Sequence, residues 1–131
     1  MTPRSDPKTI LLVDDDPLVL KYVATMLISH GYDVMTGISG EDAIEKAEHH
    51  PGEIALLLSD FQMPGMSGVD LAVKLTAKRP QIKVLLMSGY TGGMLVLNEG
   101  WHFLAKPFVE SQLNALIIGL LYPGNPSRFT R

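Results

Sequence analysis

An α/β domain, with a central parallel sheet and helices on both faces, is the fold this sequence predicts. Three observations point to it. Short apolar runs alternate along the chain with amphipathic stretches of helical period. The run Ile54–Ser59 is too apolar to have a wet face. Each of the first three helical stretches opens on a capping signal. The chain has 131 residues, of which 46% are hydrophobic and 19% charged. That suits one domain, burying roughly two-thirds of its unfolded surface.

The elements follow in order. Thr9–Val13 (TILLV) reads as a buried strand. Asp16-Pro17 supplies an N-cap and a proline at the first helical position. Leu20, Val23, Ala24, Leu27 and Ile28 then form one helical stripe, which Gly31 stops. Tyr32–Thr36 is a second strand. Ser39 with Asp42 three residues on resembles a capping box, for a helix running to about His49 and ended by Pro51-Gly52. Ile54–Ser59 is the third strand, followed by a loop holding Pro64, Gly65 and Gly68. Ser67 with Asp70 caps the next helix, which stops at Pro80. Ile82–Met87 and Trp101–Ala105 are the fourth and fifth strands. Four glycines between Ser88 and Gly100 leave any helix there short or absent. Leu113, Leu116, Ile117, Leu120 and Leu121 mark the last helix, ended by Pro123-Gly124. Residues 1–8 are thus expected to be an N-terminal extension, 9–122 the domain, and 123–131 a tail.

Composition excludes several functions. With 0 cysteines, the chain has no disulfides, thiol catalysis or Cys-ligated metal. A net charge of −3 argues against a nucleic-acid-binding surface. Ala115–Tyr122, the longest apolar stretch, is far shorter than the ~18 residues that span a bilayer. Met1–Thr9 is polar and holds two prolines, unlike a secretory signal. The expected compartment is the cytoplasm.

Right-handed crossovers place every strand's carboxyl end on one edge of such a sheet, where sites are found. That edge collects Asp14, Asp15 and Asp16 after the first strand, Asp60 after the third, Ser88 after the fourth and Lys106 after the fifth. Asp16 is expected to serve as a cap. Asp14, Asp15 and Asp60 would then converge and repel one another, which a hard cation relieves. Oxygen ligands without His or Cys suit Mg²⁺. An aspartate beside Mg²⁺ and a lysine can attack phosphorus to form an aspartyl-phosphate. Lys106, Ser88 and the cation would stabilise charge on the equatorial oxygens.

The segments LLVDDDP, LLLSDFQMPGMSG, LLMSG and FLAKPF, in this order, resemble the receiver domain of bacterial two-component response regulators. The resemblance runs from about Thr9 to Tyr122. It implies a flavodoxin-like three-layer sandwich of strand order 2-1-3-4-5, an order known for this fold rather than read from these residues. It implies that Asp60 is the phosphoacceptor, with Mg²⁺ held by Asp14, Asp15, Asp60 and the backbone carbonyl of Gln62. It places Ser88 at the switch hydroxyl and Phe103 at the aromatic switch. Lys106 matches the lysine that pairs with the phosphoryl group. Pro107 matches a proline usually preceded by a cis bond, which helps aim that lysine. The implied donor is a phosphohistidine on a histidine kinase or histidine phosphotransfer protein. The chain would be a signalling phosphoacceptor rather than an enzyme acting on other substrates.

Taken singly, these residues have plainer roles. An acidic run after a strand caps a helix, Ser88 precedes a turn glycine, Lys106 is a surface lysine and Phe103 is core. Met63, Met66 and Met87 read as packing. His30, His49, His50 and His102 lack ligand spacing. Lys74, Lys78, Arg79 and Lys83 read as a solvated face. Gln62 and Tyr90, two residues beyond Asp60 and Ser88, occupy positions that tune phosphoryl lifetime in the family. The alternative function is a phosphohydrolase of the haloacid dehalogenase type, with Asp14 and Asp16 as its aspartate pair. Leu18 stands where that motif wants Thr or Val, and only Glu110 is acidic beyond Lys106. A flavin-binding alternative lacks a phosphate-cradling loop after the first strand. A second apolar line on the last helix, Ala115, Ile118 and Tyr122, suggests either a wider buried face or a homodimer surface. On the receiver reading, the residues of this sequence are expected to form no output domain. A stand-alone regulator and a receiver cut from a hybrid histidine kinase, whose terminal receivers share the MSGYTG and KPF segments, are both consistent.

Overall fold

The computed structural model describes residues 7–89 and 101–123. They form β1 (Thr9–Val13), α1 (Pro17–Ser29), β2 (Asp33–Gly37), α2 (Gly40–Glu48), β3 (Leu56–Asp60), α3 (Gly68–Lys78), β4 (Lys83–Ser88), β5 (Trp101–Ala105) and α4 (Glu110–Leu121). Tyr90 and the glycine-rich segment expected to hold little helix lie outside the described residues. All strand pairings are parallel, in the order β2-β1-β3-β4-β5.

Two apolar layers follow from strand geometry, because successive side chains point to opposite faces. Ile10, Leu12, Leu56, Leu58, Leu85, Met87 and Leu104 pack under α1 and α4. Leu11, Val13, Leu57, Val84 and Leu86 pack under α2 and α3. Both faces are covered, so the runs have no polar alternation. Each leucine fully withdrawn from water contributes about 1.5–3 kcal/mol. Met63 and Met66 join the second layer and Met87 the first, as expected.

The caps hold, with one adjustment. Asp16 accepts from the Leu18 N–H at 2.9 Å, and Pro17 opens α1. Ser67 and Asp70 form the full reciprocal box on α3. At α2, Ser39 accepts from the Asp42 N–H, but the Asp42 carboxylate returns to Ile38 rather than to the cap residue. Gly31 follows α1 with φ +95°, a left-handed conformation that suits glycine. On α1 the buried stripe is Leu20, Val23, Met26 and Leu27, whereas Ile28 is 59% exposed. The sheet-facing side is thus rotated toward Met26.

The strand ends differ from the expected ones. β2, β3 and β4 each run one residue further toward the carboxyl edge than apolarity suggests. Ladder pairing ends them, through Asp60↔Met87 and Ser88↔Ala105. Asp60 and Ser88 are therefore terminal strand residues, with the rigidity of the sheet behind them.

Arg79 corrects the solvated-face expectation. Its guanidinium donates to the carbonyls of Ala47 (2.9 Å), His50 (3.0 Å) and Gly52 (2.9 Å), which close the end of α2 and the turn after it. Lys78, its neighbour, keeps an exposed pair with Glu48. Arg79→Ala should therefore cost about 1.5–3 kcal/mol in urea unfolding, while Arg79→Lys recovers less than half of it for want of the planar fork. Lys78→Ala should change the same measurement by less than about 1 kcal/mol.

Candidate functional site

Each site residue reaches the carboxyl edge on a different element. β1 delivers Asp14 and Asp15, β3 delivers Asp60, β4 delivers Ser88, and Lys106 follows β5. Asp14 is 1% exposed. Its amide donates to the Gly37 carbonyl at 3.1 Å, which ties this turn to the end of β2. Its Oδ1 accepts from the Asp16 amide at 2.9 Å. Its Oδ2 is buried without a hydrogen-bond partner. The nearest cation to that oxygen is Lys106 Nζ at 3.6 Å, an ion-pair distance but too long for a hydrogen bond.

Lys106 commits itself to Asp60 instead. Its Nζ donates to Asp60 Oδ1 at 3.0 Å, joining residues 46 positions apart. Burial alone would lower its pKa. The hydrogen bond and charge of Asp60, with the charge of Asp14, outweigh burial and hold the ammonium above its ordinary value. The pKa of Asp14 moves up. Burial is the main cause, the Asp16 amide and Lys106 oppose it, and the neighbouring charges of Asp60 and Asp15 add to it.

Oxygens of Asp14, Asp15 and Asp60 lie within 4.8 Å of one another. Asp14 is buried, Asp60 half-buried and Asp15 exposed. The grouping has a buried orphan oxygen, hard oxygen donors alone and an open side toward solvent. It fits a small divalent cation that keeps several waters. No histidine joins such a group among the described residues. His30 instead pairs with Glu110 at 2.7 Å, and His49 meets the Glu45 carbonyl.

The other expected residues lie on, or just beyond, β3, β4 and β5. Ser88 is 8% exposed at the end of β4. The Lys106 amide donates to the Ser88 carbonyl at 2.7 Å, so the lysine's backbone is fixed to the end of β4. The Lys106–Pro107 bond is cis. Gln62 is exposed, two residues past Asp60. Phe103 is half-buried on the α2/α3 side and meets Phe61 edge to face, with centroids 5.5 Å apart. Phe61 had no sequence signal beyond its place after Asp60. Asp16 stays outside the pocket as the α1 cap, which removes one member of the hydrolase pair.

A family model described as the response regulator receiver domain matches residues 10–118. The chain belongs to this family. It is 35% identical over 124 residues to the sensor kinase CckA of Brucella abortus, covering 92% of this chain and 13% of that protein. It is 31% identical over 125 residues to the probable transcriptional regulatory protein TcrX of Mycobacterium tuberculosis, covering 85% of this chain and 50% of that protein. It thus spans half or less of the length of these relatives. The solved receiver domain of the hybrid histidine kinase CckA superposes with TM-score 0.77 at 34% identity, covering 86% of this chain and 98% of that one. The response regulator TrrA of Thermotoga maritima, solved in complex with Mg²⁺-BeF, gives TM-score 0.77 at 29% identity, covering 87% of this chain and 99% of that one. The receiver reading and the flavodoxin-like fold stand, and the hydrolase alternative finds no support. Among the described residues no helix is long and apolar enough to cross a membrane.

The orphaned carboxylate sets a sign for stability. A carboxyl whose pKa is raised on folding binds protons more tightly in the native state, so its contribution falls as pH rises from about 3.8 through the folded value. Asp14→Asn should therefore raise the melting temperature at pH 7 in EDTA by a few degrees and flatten the decline above pH 4. Thermal melts across pH check this, and a lower melting temperature at pH 7 contradicts it.

Proposed function

We propose that this receiver domain takes a phosphoryl group from a phosphohistidine onto Asp60. The donor would be a histidine kinase or a histidine phosphotransfer protein. One observation carries the reading: Lys106 Nζ lies 3.0 Å from Asp60 Oδ1 inside a pocket of clustered carboxylates. A carboxylate needs a cation beside it to approach a phosphoryl group, and a lysine from another strand supplies one.

In the proposed reaction an Asp60 oxygen attacks phosphorus in line. The N–P bond breaks, its electron pair returns to the donor imidazole, and an O–P bond forms. Asp14, Asp15 and Asp60, with the Gln62 backbone carbonyl, would hold Mg²⁺. When bound, the cation neutralises charge on the phosphoryl oxygens. Lys106 turns from the carboxylate to the new phosphoryl oxygens. Ser88, one residue beyond the β4 partner of Asp60, donates its hydroxyl to one of them. Phe103 then leaves its edge-to-face position on Phe61 and turns inward. The phosphoryl group thereby favours one of two existing arrangements of the β5 region, which alters partner binding. The chain catalyses only its own phosphorylation and dephosphorylation. Residues 9–122 act as the receiver unit, with 1–8 and 123–131 outside it, and its compartment is the cytoplasm.

Self-association through α4 accompanies this reading. Ala115 is exposed, Ile118 half-buried and Tyr122 40% exposed, so part of the second apolar line is uncovered. A chain that sediments as a monomer with and without beryllofluoride would remove that element.

Incubation with labelled acetyl phosphate and Mg²⁺ tests the main reading. The wild type should take up base-labile label, and EDTA should prevent it. Asp60→Ala should lose roughly 100-fold or more. Lys106→Ala should slow uptake by about 10–100-fold while Mg²⁺ still binds. Undiminished labelling of Asp60→Ala would move the acceptor elsewhere.

A further inference from the structure

Asp60 ends its strand with support on one side only. The β1–β3 register stops at Val13↔Ser59, whereas the β3–β4 register continues to Asp60↔Met87. The residue that must aim a carboxylate within a fraction of an ångström thus lacks a strand partner toward β1. Two neighbours occupy that gap, and neither belongs to the acidic pocket.

The first is Ser59. It is 0% exposed, between Val13 and Leu86, on the apolar face shared with α2 and α3. A hydroxyl there needs a partner, since an unpaired one is costly to bury. Its Oγ donates to the backbone carbonyl of Asp60 at 2.9 Å. The second is Gly68, the first residue of α3. A Cβ at Gly68 would collide with the Asp60 carbonyl oxygen, and would lie 3.1 Å from Phe61 Cα and 3.2 Å from the Asp60 carbonyl carbon. All of these are backbone atoms, so no change of rotamer relieves the contact. Gly68 does not have a positive φ, so space rather than conformational freedom demands glycine here. Its amide also donates to the Phe61 carbonyl at 2.9 Å, while the Phe61 amide donates to the Met87 carbonyl at 2.7 Å.

We propose that Ser59 and Gly68 are positioning residues for phosphoryl transfer, clamping the Asp60 peptide between a buried hydroxyl and the start of α3 so that the carboxylate stays aimed at phosphorus. The proposal rests on Asp60 being the acceptor. Ser59 holds the carbonyl by a hydrogen bond, and Gly68 lets the helix press against it. Attack in line tolerates little misplacement, and displacement by about 1 Å costs on the order of 100-fold in rate. Neither residue touches the donor, so the loss should fall on the chemical step and not on donor binding.

The experiment uses the whole chain with acetyl phosphate and Mg²⁺, at a temperature where every variant is folded by circular dichroism. Gly68→Ala and Ser59→Ala are compared with Ala72→Gly, which weakens α3 from a buried position by removing a methyl group and so brings no new atom against the Asp60 peptide. Gly68→Ala should lower the labelling rate at saturating donor by about 10–100-fold, and Ser59→Ala by about 3–10-fold. The half-saturating donor concentration should stay within about twofold, because donor binding is untouched. Ala72→Gly should lose melting temperature but label within about twofold of wild type, because it adds nothing against the Asp60 peptide. If Gly68→Ala does not fold, the split between rate and half-saturation in Ser59→Ala decides. Wild-type rates in the folded clamp variants, or rates that follow melting temperature alike in all three, overturn the clamp. Asp60→Asn run alongside separates the two questions. Label retained in that variant overturns the acceptor assignment itself, whereas label lost there together with full rates in the clamp variants overturns the clamp alone.

Discussion

A carboxylate removed from water with one oxygen unpaired is the constraint around which this protein is arranged. Asp14 sits just past the carboxyl end of β1, almost wholly buried, beside two more carboxylates and 3.6 Å from the Lys106 ammonium. Burying like charges together opposes folding, and Lys106 offsets only part of that cost because its hydrogen bond goes to Asp60. The pocket therefore holds unsatisfied negative charge in a form that a divalent cation relieves. Stability is given up at the edge where the proposed phosphoryl transfer needs the charge to be.

The sheet makes this arrangement affordable. Five parallel strands with both faces covered provide two apolar layers, and the helices hold the strand ends in register. Because all strands point one way, residues far apart in the chain meet along a single edge. The ladder runs as far as Asp60 and Ser88, so both belong to rigid strands and not to loops. Lys106 is fixed through its amide to the Ser88 carbonyl, which joins the ammonium-bearing residue to the end of β4.

Much of this was legible in the chain. The caps at Asp16, Ser39 and Ser67 are local patterns, and each is used as a cap. The apolar runs mark strands because two covered faces demand apolar residues at every position. The acidic residues, Ser88 and Lys106 were legible through their place after successive strands. Other features were not. Ile28 fits the helical stripe yet faces solvent, because which flank of a stripe meets the sheet depends on how the helix is rolled upon it. Arg79 looked like one more surface cation, and its three carbonyl partners lie 27 to 32 residues away.

From residue order alone follow the alternation of strand and helix, the parallel sheet, the edge where polar chemistry gathers, and the family resemblance carried by four short segments. These depend on local periodicity and on the handedness of crossovers, which a linear pattern contains. Tertiary structure alone decides that Lys106 bonds to Asp60 rather than Asp14, that Asp14 keeps an oxygen without a partner, and that α3 presses against the Asp60 peptide through Gly68. Each of these turns on a separation of an ångström or less between groups brought together by folding. Hydrogen bonds and steric contacts change over that range, whereas hydrophobic periodicity does not.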